Sequence, residues 1–424
     1  MNIAVSPEHI VAKSERGMHV LTLNSGSSSL KFGYYRASAS RTKVLVSGEA
    51  DFSDSDQGKF YAHGSRKYDL TTEPTPIRNQ KDAFGLIIKF LRDAKMSMPD
   101  AIGHRIVHGG PKLRKHCLIN KAVLEQIKGA HAFAPLHLPD ELSVIQLARE
   151  HFPQVPHVAC FDTVFHTTIP DVARTLPLPI EYRSEGIERY GFHGLSCDSI
   201  VHQLRGNLPK RLIVAHLGNG ASVTAIRNGR SIDNSMGMTP AGGLIMGTRC
   251  GDLDPGVLVY VAREKGLDAN GLEDLINHQS GLLGISGLSS DMRRLHEASP
   301  SNSNARLAID MFVYTLRKQL AAMAATLGGV DMIVFTGGIG ENDAEIRAAT
   351  CMGLSAFGLI IDHHRNVAVK SPISAPTSCC DVRVLTSDED ERIAHHTRAI
   401  VSANNCQNEQ HHRTRVAATG EAKK

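Results

Sequence analysis

The sequence predicts an α/β fold made from a duplicated unit, with two lobes around a cleft. Three observations carry this expectation. VLTLNSGSSSLKF (20–32) and LIVAHLGNGASVTAI (212–226) both read as strand, small-residue turn, strand, and Gly26-Ser27-Ser28 matches Gly220-Ala221-Ser222; two Gly/Ser turns can also be alike by chance. Apolar strand patterns alternate with amphipathic helical ones, the mark of α/β architecture. Finally, VPHVACFD (155–162) is an apolar run ending on Asp162, and the carboxyl end of a buried strand faces the crevice where α/β sheets bind ligands.

In chain order, MHVLTL (18–23), LKFGYYR and VLVSGEA (44–50) are strands of an opening meander, rich in β-branched and aromatic residues. Residues 54–80 are polar and turn-rich, with weak strands at best. Phe84, Ile87, Ile88 and Leu91 recur at helical spacing, so 81–94 is an amphipathic helix. A short strand at 102–108 follows, then a helix at 140–152 with Leu142, Ile145 and Ala148 on one face. The second half restarts with a buried strand at 211–218 and a hairpin whose Asn228-Gly229 is a type I′ signal. Residues 312–327 form a helix stopped by Gly328-Gly329. DMIVFTGGIGEN (331–342) is a strand entering a glycine-rich turn before a helix. RVLTSDEDERIAHHTRAI (383–400) is a strand, an acidic turn and a last helix, and 402–424 is a polar, frayed tail.

The 424 residues are 42% hydrophobic and 21% charged, an ordinary globular balance, and the formal charge of +4 gives little support to a nucleic-acid partner. Of the 22 histidines some lie in the hydrophilic tail, so their number does not imply metal. Eight cysteines without a C-x-x-C pair read as reduced thiols. MNIAVSPEHIVAKSERGMHV lacks the apolar run of a signal peptide, and no stretch of about 18 apolar residues exists. The expectation is a soluble cytoplasmic protein that engages neither membrane nor nucleic acid.

Five stretches concentrate glycine, small polar residues and isolated charges: NSGSSSLKF (24–32), HRIVHGG (104–110), RYGFHG (189–194), HLGNGAS with MGTRCGDLDPG (216–222, 246–256), and FTGGIGEN (335–342). Each has a plain reading. A Ser-Gly turn is usually a tight hairpin, a lone arginine a surface ion-pair partner, and a lone histidine a satisfied structural residue. The acidic SDEDE is most simply a solvated helix start. Each also has a chemical reading. Exposed N–H and hydroxyl groups of a hairpin tip bind phosphate oxygens. A glycine run after a buried strand lets backbone approach a nucleotide. Arg105 and Arg249, beside glycines, can place a planar fork on carboxylate or phosphate, and a carboxylate of SDEDE can serve magnesium.

In combination these stretches are far more specific. From about Val20 to Thr397 the chain resembles the acetate kinase family, with NSGSSSLKF, HRIVHGG, APLH, FDTVFH, RYGFHG, HLGNGAS, DNSMGMTPAGGLIMGTRCGDLDPG, SGLSSDMR, FTGGIGEN and the acidic turn before IAHHT in the family's order. The resemblance implies the duplicated ASKHA (sugar kinase/Hsp70/actin) fold around a nucleotide cleft. It implies a first domain over 1–166 completed by a helix at about 391–402, a second over 167–390 that carries nucleotide and dimer contacts, and a tail at 403–424. The implied activity is reversible in-line transfer of the ATP γ-phosphoryl to acetate with Mg²⁺ (Mn²⁺ substituting), in a homodimer. Carried over residue by residue, Asn24 and Glu389 bind the metal and Lys31 contacts nucleotide phosphate. Arg105 holds the acid, and Val107, Leu136, His137, Phe192 and Pro240 form its pocket. Asp162, His193 and Arg249 are catalytic. His216, Leu217, Gly218, Asn219 and Gly220 bind ATP phosphates, as do Gly338, Ile339, Gly340, Glu341 and Asn342, with Asp291, Met292 and Arg293 at the adenosine end.

Departures from the family pattern are Leu138 in place of an asparagine beside His137, Cys197 in place of a histidine, and Gly337 where alanine is commoner. Acetate is already an anion at neutral pH, so no general base is required, and Asp162 is expected to orient an arginine or the metal's water shell. The nearest rival is a kinase for propionate or butyrate, against which the β-branched Val107 argues for a small pocket. An actin- or Hsp70-like nucleotide switch has no use for Arg105 beside such a pocket.

Overall fold

The computed structural model describes residues 17–26, 29–52, 57–64, 70–71 and 76–421. Ser27 and Ser28 of the first hairpin tip, and the segment before residue 17, lie outside the described residues. The chain divides into two compact units, Met1–Val164 with Asp388–Lys424, and Phe165–Ser387.

The first unit holds β1 (Met18–Ser25), β2 (Ser29–Ala37), β3 (Thr42–Asp51), β4 (Lys59–Gly64), β5 (Leu70–Thr71), β6 (Ala101–Ile106), β7 (Cys117–Leu118) and β8 (His157–Phe161). They form one sheet in the order β5-β4-β3-β2-β1-β6-β8-β7. The meander pairs antiparallel, and β1, β6 and β8 run parallel. Alternation along β1 sends Leu21 and Leu23 to one face, where they join Phe32, Phe60 and Phe90 in a core covered by helices α1 (Gln80–Asp93) and α2 (Leu138–His151). Asn79 caps α1 by accepting the Lys81 and Asp82 N–H groups. Val20 points the other way and packs with Tyr35 and Ala394. Ala394 belongs to the C-terminal helix, Glu389–Glu421, which lies against β1, β2, β6 and β8. It approaches so closely that a Cβ on Gly103 would meet Ile393 at 2.6 Å.

The second unit holds β9 (Arg211–Leu217), β10 (Ala221–Arg227), β11 (Arg230–Asn234), β12 (Met332–Thr336) and β13 (Asp381–Val384), in the order β11-β10-β9-β12-β13. Leu212, Val214 and Val334 pack with Cys197, Ile200 and Leu204, which come from and just after helix α3 (Gly194–Gln203). Ile213 and Ala215, equally buried, face the opposite side; helix α4 (Ser303–Leu327) packs against β9, β10 and β11. The β10–β11 turn has φ 51° at Asn228 and 76° at Gly229, as a type I′ turn requires. Helix α4 stops at Gly328 (φ 69°), and the Gly329 N–H returns to the Ala324 carbonyl at 2.8 Å.

Three expectations are corrected. GGIGEN is not a turn: after β12 it forms a short helix of its own, α5 (Gly337–Asn342), because Glu341 reaches back to accept the Gly337 N–H at 2.9 Å and the Thr336 hydroxyl at 3.3 Å. The tail from 402 is helical as far as residue 421 rather than irregular. The C-terminal helix, α6, continues from Glu389 to Glu421, over a stretch with no proline and no glycine before Gly420. Helix α4 begins at Ser303, where Asn302 caps it, well before residue 312.

Candidate active-site residues in each unit

In the first unit the site residues gather at the carboxyl ends of the parallel strands. Arg105 is the penultimate residue of β6, and Asp162 directly follows β8, so neighbouring strands bring them together. Asp162 Oδ2 accepts from Arg105 Nε at 3.0 Å and from Nη2 at 2.6 Å. Arg105 Nη1 donates to Asn24 Oδ1 at 3.3 Å, and Glu389 Oε2 lies 3.9 Å from Arg105 Nε. One guanidinium thus ties together Asn24, Asp162 and Glu389. Burial would lower the Arg105 pKa, but Asp162 and Glu389 hold it above its ordinary value, so the group is a permanent cation. Asn24 stands opposite Lys31 in the β1–β2 register, with the Lys31 side chain exposed.

Around this group are further polar features. Ser25 Oγ is buried without a hydrogen-bond partner among the described residues. Gln80 steadies the hairpin by donating to the Gly26 carbonyl at 2.8 Å. Burial together with Glu389 and Asp388 pushes the Asp390 carboxyl up to about 7, with Lys31 opposing. Val107 is buried, whereas Leu136 and His137 are half-buried just before α2.

In the second unit His193 sits at the start of α3 in the left-handed region, φ 56° and ψ 33°. That conformation is uncommon for a residue with a side chain, and a buried network holds it. The carbonyl of the preceding Phe192 accepts from Asn234 Nδ2 at 3.2 Å and lies 2.8 Å from His166 Nε2. Burial depresses the His166 pKa to about 4, so it is neutral; its other nitrogen faces Ser231 Oγ at 2.9 Å. His193 and His216 stack with ring centroids 4.2 Å apart. Each is oriented through Nδ1 by a serine, Ser222 at 2.9 Å and Ser196 at 2.8 Å.

These contacts aim His193 Nε2 and Arg249 at one place. A Cβ on Gly220 would lie 3.4 Å from His193 Nε2 and 3.6 Å from Arg249 Nη1, so the space over this glycine is flanked by two nitrogen donors of the kind that hold phosphate oxygens. The GNG loop is closed by Gly218 N–H to Gly220 carbonyl at 3.0 Å and tied to MGTR by Gly247 N–H to Asn219 carbonyl at 3.0 Å. Gly337 has φ 78° and passes so near β9 that a Cβ would stand 2.7 Å from the Leu217 carbonyl, which brings α5 beside the loop.

The remaining positions are less directly disposed. The Leu217 and Met292 side chains are in the core, which leaves only their backbones for the contact expected of them. Glu341 caps α5 and also accepts from Thr386 at 2.9 Å; Asn342 donates to the Gly338 carbonyl at 2.9 Å. Asp291 caps a short helix and pairs with the largely exposed Arg293 at 2.6 Å. Phe192 is buried and Pro240 half-buried, the latter's carbonyl accepting from Arg249 at 3.2 Å.

Sequence reasoning passed over four supports: Glu141, the His166–Asn234 pair, Ser222 and Arg347. Arg347 is fully buried and clasps the carbonyls of Gly340 and Glu341 at 2.9 and 3.0 Å, fastening α5 from below. An arginine or glutamate on the apolar face of a helical pattern is the only local signal such residues leave.

Against known proteins, a model of the acetokinase family matches residues 19–395. The chain is 39% identical over 400 residues to an acetate kinase of Sulfurovum sp., covering 91% of this chain and 99% of that protein. Among solved structures, a propionate kinase from Francisella tularensis superposes with a TM-score of 0.82 at 37% identity, over 90% of this chain and 100% of that one. An acetate kinase from Porphyromonas gingivalis gives 0.78 at 36% identity, over 91% and 100%.

Proposed function

We propose that the chain, a member of the acetokinase family, is an acetate kinase that transfers a phosphoryl group reversibly between ATP and acetate. It is a phosphotransferase with the family's ASKHA fold. The observation that carries the mechanistic reading is the space over Gly220, flanked by His193 Nε2 and Arg249 Nη1. Phosphoryl transfer asks for positioning and neutralisation of spreading negative charge, with little covalent help. His193 and Arg249 supply donors to the transferred group's oxygens; the GNG loop and α5 supply backbone N–H groups to the nucleotide phosphates, with Lys31 as an added cation.

Arg105 receives the acid. Asp162 occupies two of its donors, fixing the fork so that the remaining N–H groups meet the acetate oxygens. Acetate arrives ionised, so Asp162 has no proton to remove and acts by orientation. Val107 and Leu136 offer the methyl group an apolar wall on the first unit. Asn24 Oδ1 and Glu389 Oε2, brought to one guanidinium, are hard oxygen donors of the kind Mg²⁺ takes. Among the described residues no group of three or more His, Cys, Asp or Glu suits a metal, and Mg²⁺ needs no such group, since it binds through one or two protein ligands, waters and substrate phosphates. When bound, the ion neutralises phosphate charge.

Leu253, Val257, Tyr260, Leu307, Met311 and Tyr314 of the second unit are exposed, apolar area that a homodimer would cover. All eight cysteines are free thiols, which supports a reducing, cytoplasmic setting. No described helix is long and apolar enough to cross a membrane.

Hydroxylamine trapping of acyl phosphate, with ATP, Mg²⁺ and acetate, propionate or butyrate in turn, tests the reading. Acetate and then propionate should give product, acetate with the higher kcat/KM. No trapped product from any acid overturns the kinase assignment, and a preference for butyrate overturns the small-pocket argument.

A further inference from the structure

Glu141 lies in the first turn of α2 and is 1% exposed. Its carboxyl oxygens both accept one donor outside that helix, the Val107 N–H, at 3.1 and 3.2 Å. The place of this bond matters. Ile106, the last residue of β6, still gives its carbonyl to the Asp162 N–H at 2.9 Å. One residue later the chain leaves the sheet, and a side chain takes over the backbone donor. Val107 is two residues past Arg105, so the bond anchors the strand end that presents both the guanidinium and the apolar wall.

An acid is a costly choice for this anchor. A buried carboxyl must be hydrogen-bonded or neutral, and this one faces Arg105 from β6, Asp162 beyond β8 and Asp140 from its own helix. Its pKa is pushed up to about 8 on balance: burial raises it most, Arg105 and the Val107 bond lower it, and Asp162 and Asp140 raise it. At neutral pH it is therefore mostly the uncharged acid, able to hold Val107 without repelling an incoming carboxylate.

We propose that Glu141 is a positioning residue for the acid substrate: by gripping the Val107 N–H it sets the reach of Arg105 and the depth of the wall against the acyl chain, and so governs selectivity among short carboxylic acids. This rests on the assignment of Arg105 and Val107 to acid binding. Glu141→Asp withdraws the acceptor by one methylene; Glu141→Gln keeps an acceptor at full reach. In the full-length enzyme, Glu141→Asp should raise the acetate KM about 10-fold and change the propionate-to-acetate ratio of kcat/KM at least about 3-fold, with the ATP KM unchanged. Glu141→Gln should stay within about 3-fold of wild type on all three.

The isosteric Glu141→Gln also gives a test that does not depend on the shorter side chain folding. The wild-type acetate KM should rise from pH 7 to pH 9 as Glu141 ionises, and the Glu141→Gln profile should be flat. The proposal is overturned by an unchanged acetate KM and acid ratio in Glu141→Asp, by acetate and ATP KM rising together, or by the same pH rise in Glu141→Gln. A wild-type enzyme inactive on every acid overturns the assignment beneath it as well.

Discussion

Each unit has its own sheet, and the two sheets repeat one strand order but differ in what is mounted on it. In each, the first strand pairs antiparallel with the second and parallel with a later one, β6 in the first unit and β12 in the second, giving β3-β2-β1-β6-β8 and β11-β10-β9-β12-β13. The opening hairpins correspond, yet the pair near the first tip is Asn24 opposite Lys31, and near the second His216 opposite Ser222. The first unit collects an arginine and carboxylates; the second collects glycines, two stacked histidines and Arg249. Strand order follows from the apolar pattern that both units keep, whereas chemistry follows from the few residues at strand ends, which are free to diverge.

The largest expected effect breaks the first unit's share. Arg105→Ala should lower kcat/KM for acetate by about 10³-fold, since Arg105 is the proposed seat of the acid and ties together Asn24, Asp162 and Glu389. Arg105→Lys should recover little, because an ammonium cannot keep a bidentate grip on Asp162 and also face a substrate. A coupled nucleotide assay measures both; activity within 10-fold of wild type would remove Arg105 from the centre of the site.

On the second unit, Gly220→Ala puts a methyl between His193 and Arg249 and should cost about 10²-fold in kcat with an unchanged melting temperature. Unchanged turnover would mean that no reacting group enters this space.

Asp162→Asn keeps one acceptor for Arg105. It should cost about 10-fold, mainly in acetate KM, and leave the shape of the pH–rate profile intact. Selective loss of a basic limb would instead assign proton transfer to Asp162. Lys31→Ala is the mildest: the ATP KM should rise several-fold, about 1 kcal/mol for an exposed cation, with the acetate KM unchanged.

A final test concerns stability. His157 and His166 have folded pKa values depressed by burial from 6.5 to about 4. Between these pH values the unfolded chain binds more protons, so stability should fall as pH drops from about 6.5 toward 4. Urea midpoints at pH 7.5 and 5 read this directly.

The strands were legible because apolar alternation and turn residues are local properties. Asn228-Gly229 needs no knowledge of the rest of the chain to be a type I′ turn. GGIGEN was not legible as a helix, since its glycines favour a turn and only Glu341 and the distant Arg347 and Thr386 reverse the balance. The length of the C-terminal helix is hidden for the opposite reason: the stretch is polar and lacks an apolar period, although nothing before Gly420 breaks a helix. The motif residues stood out through glycine-rich surroundings, but their supports did not. Glu141, His166 and Asn234 sit among ordinary residues, tens of positions from what they hold.

Chain order alone thus carries the duplicated strand pattern, the phosphate-type loops and the identity of the charged groups, all set by residues close together along the chain. Which of those groups meet was decided only by folding. Arg105 and Asp162 become partners because β6 and β8 are neighbours, His193 adopts its left-handed conformation because His166 and Asn234 hold the carbonyl before it, and Glu141 becomes buried because α2 crosses the end of β6. Each depends on side chains brought within hydrogen-bond distance by packing, a property that has no period in the sequence.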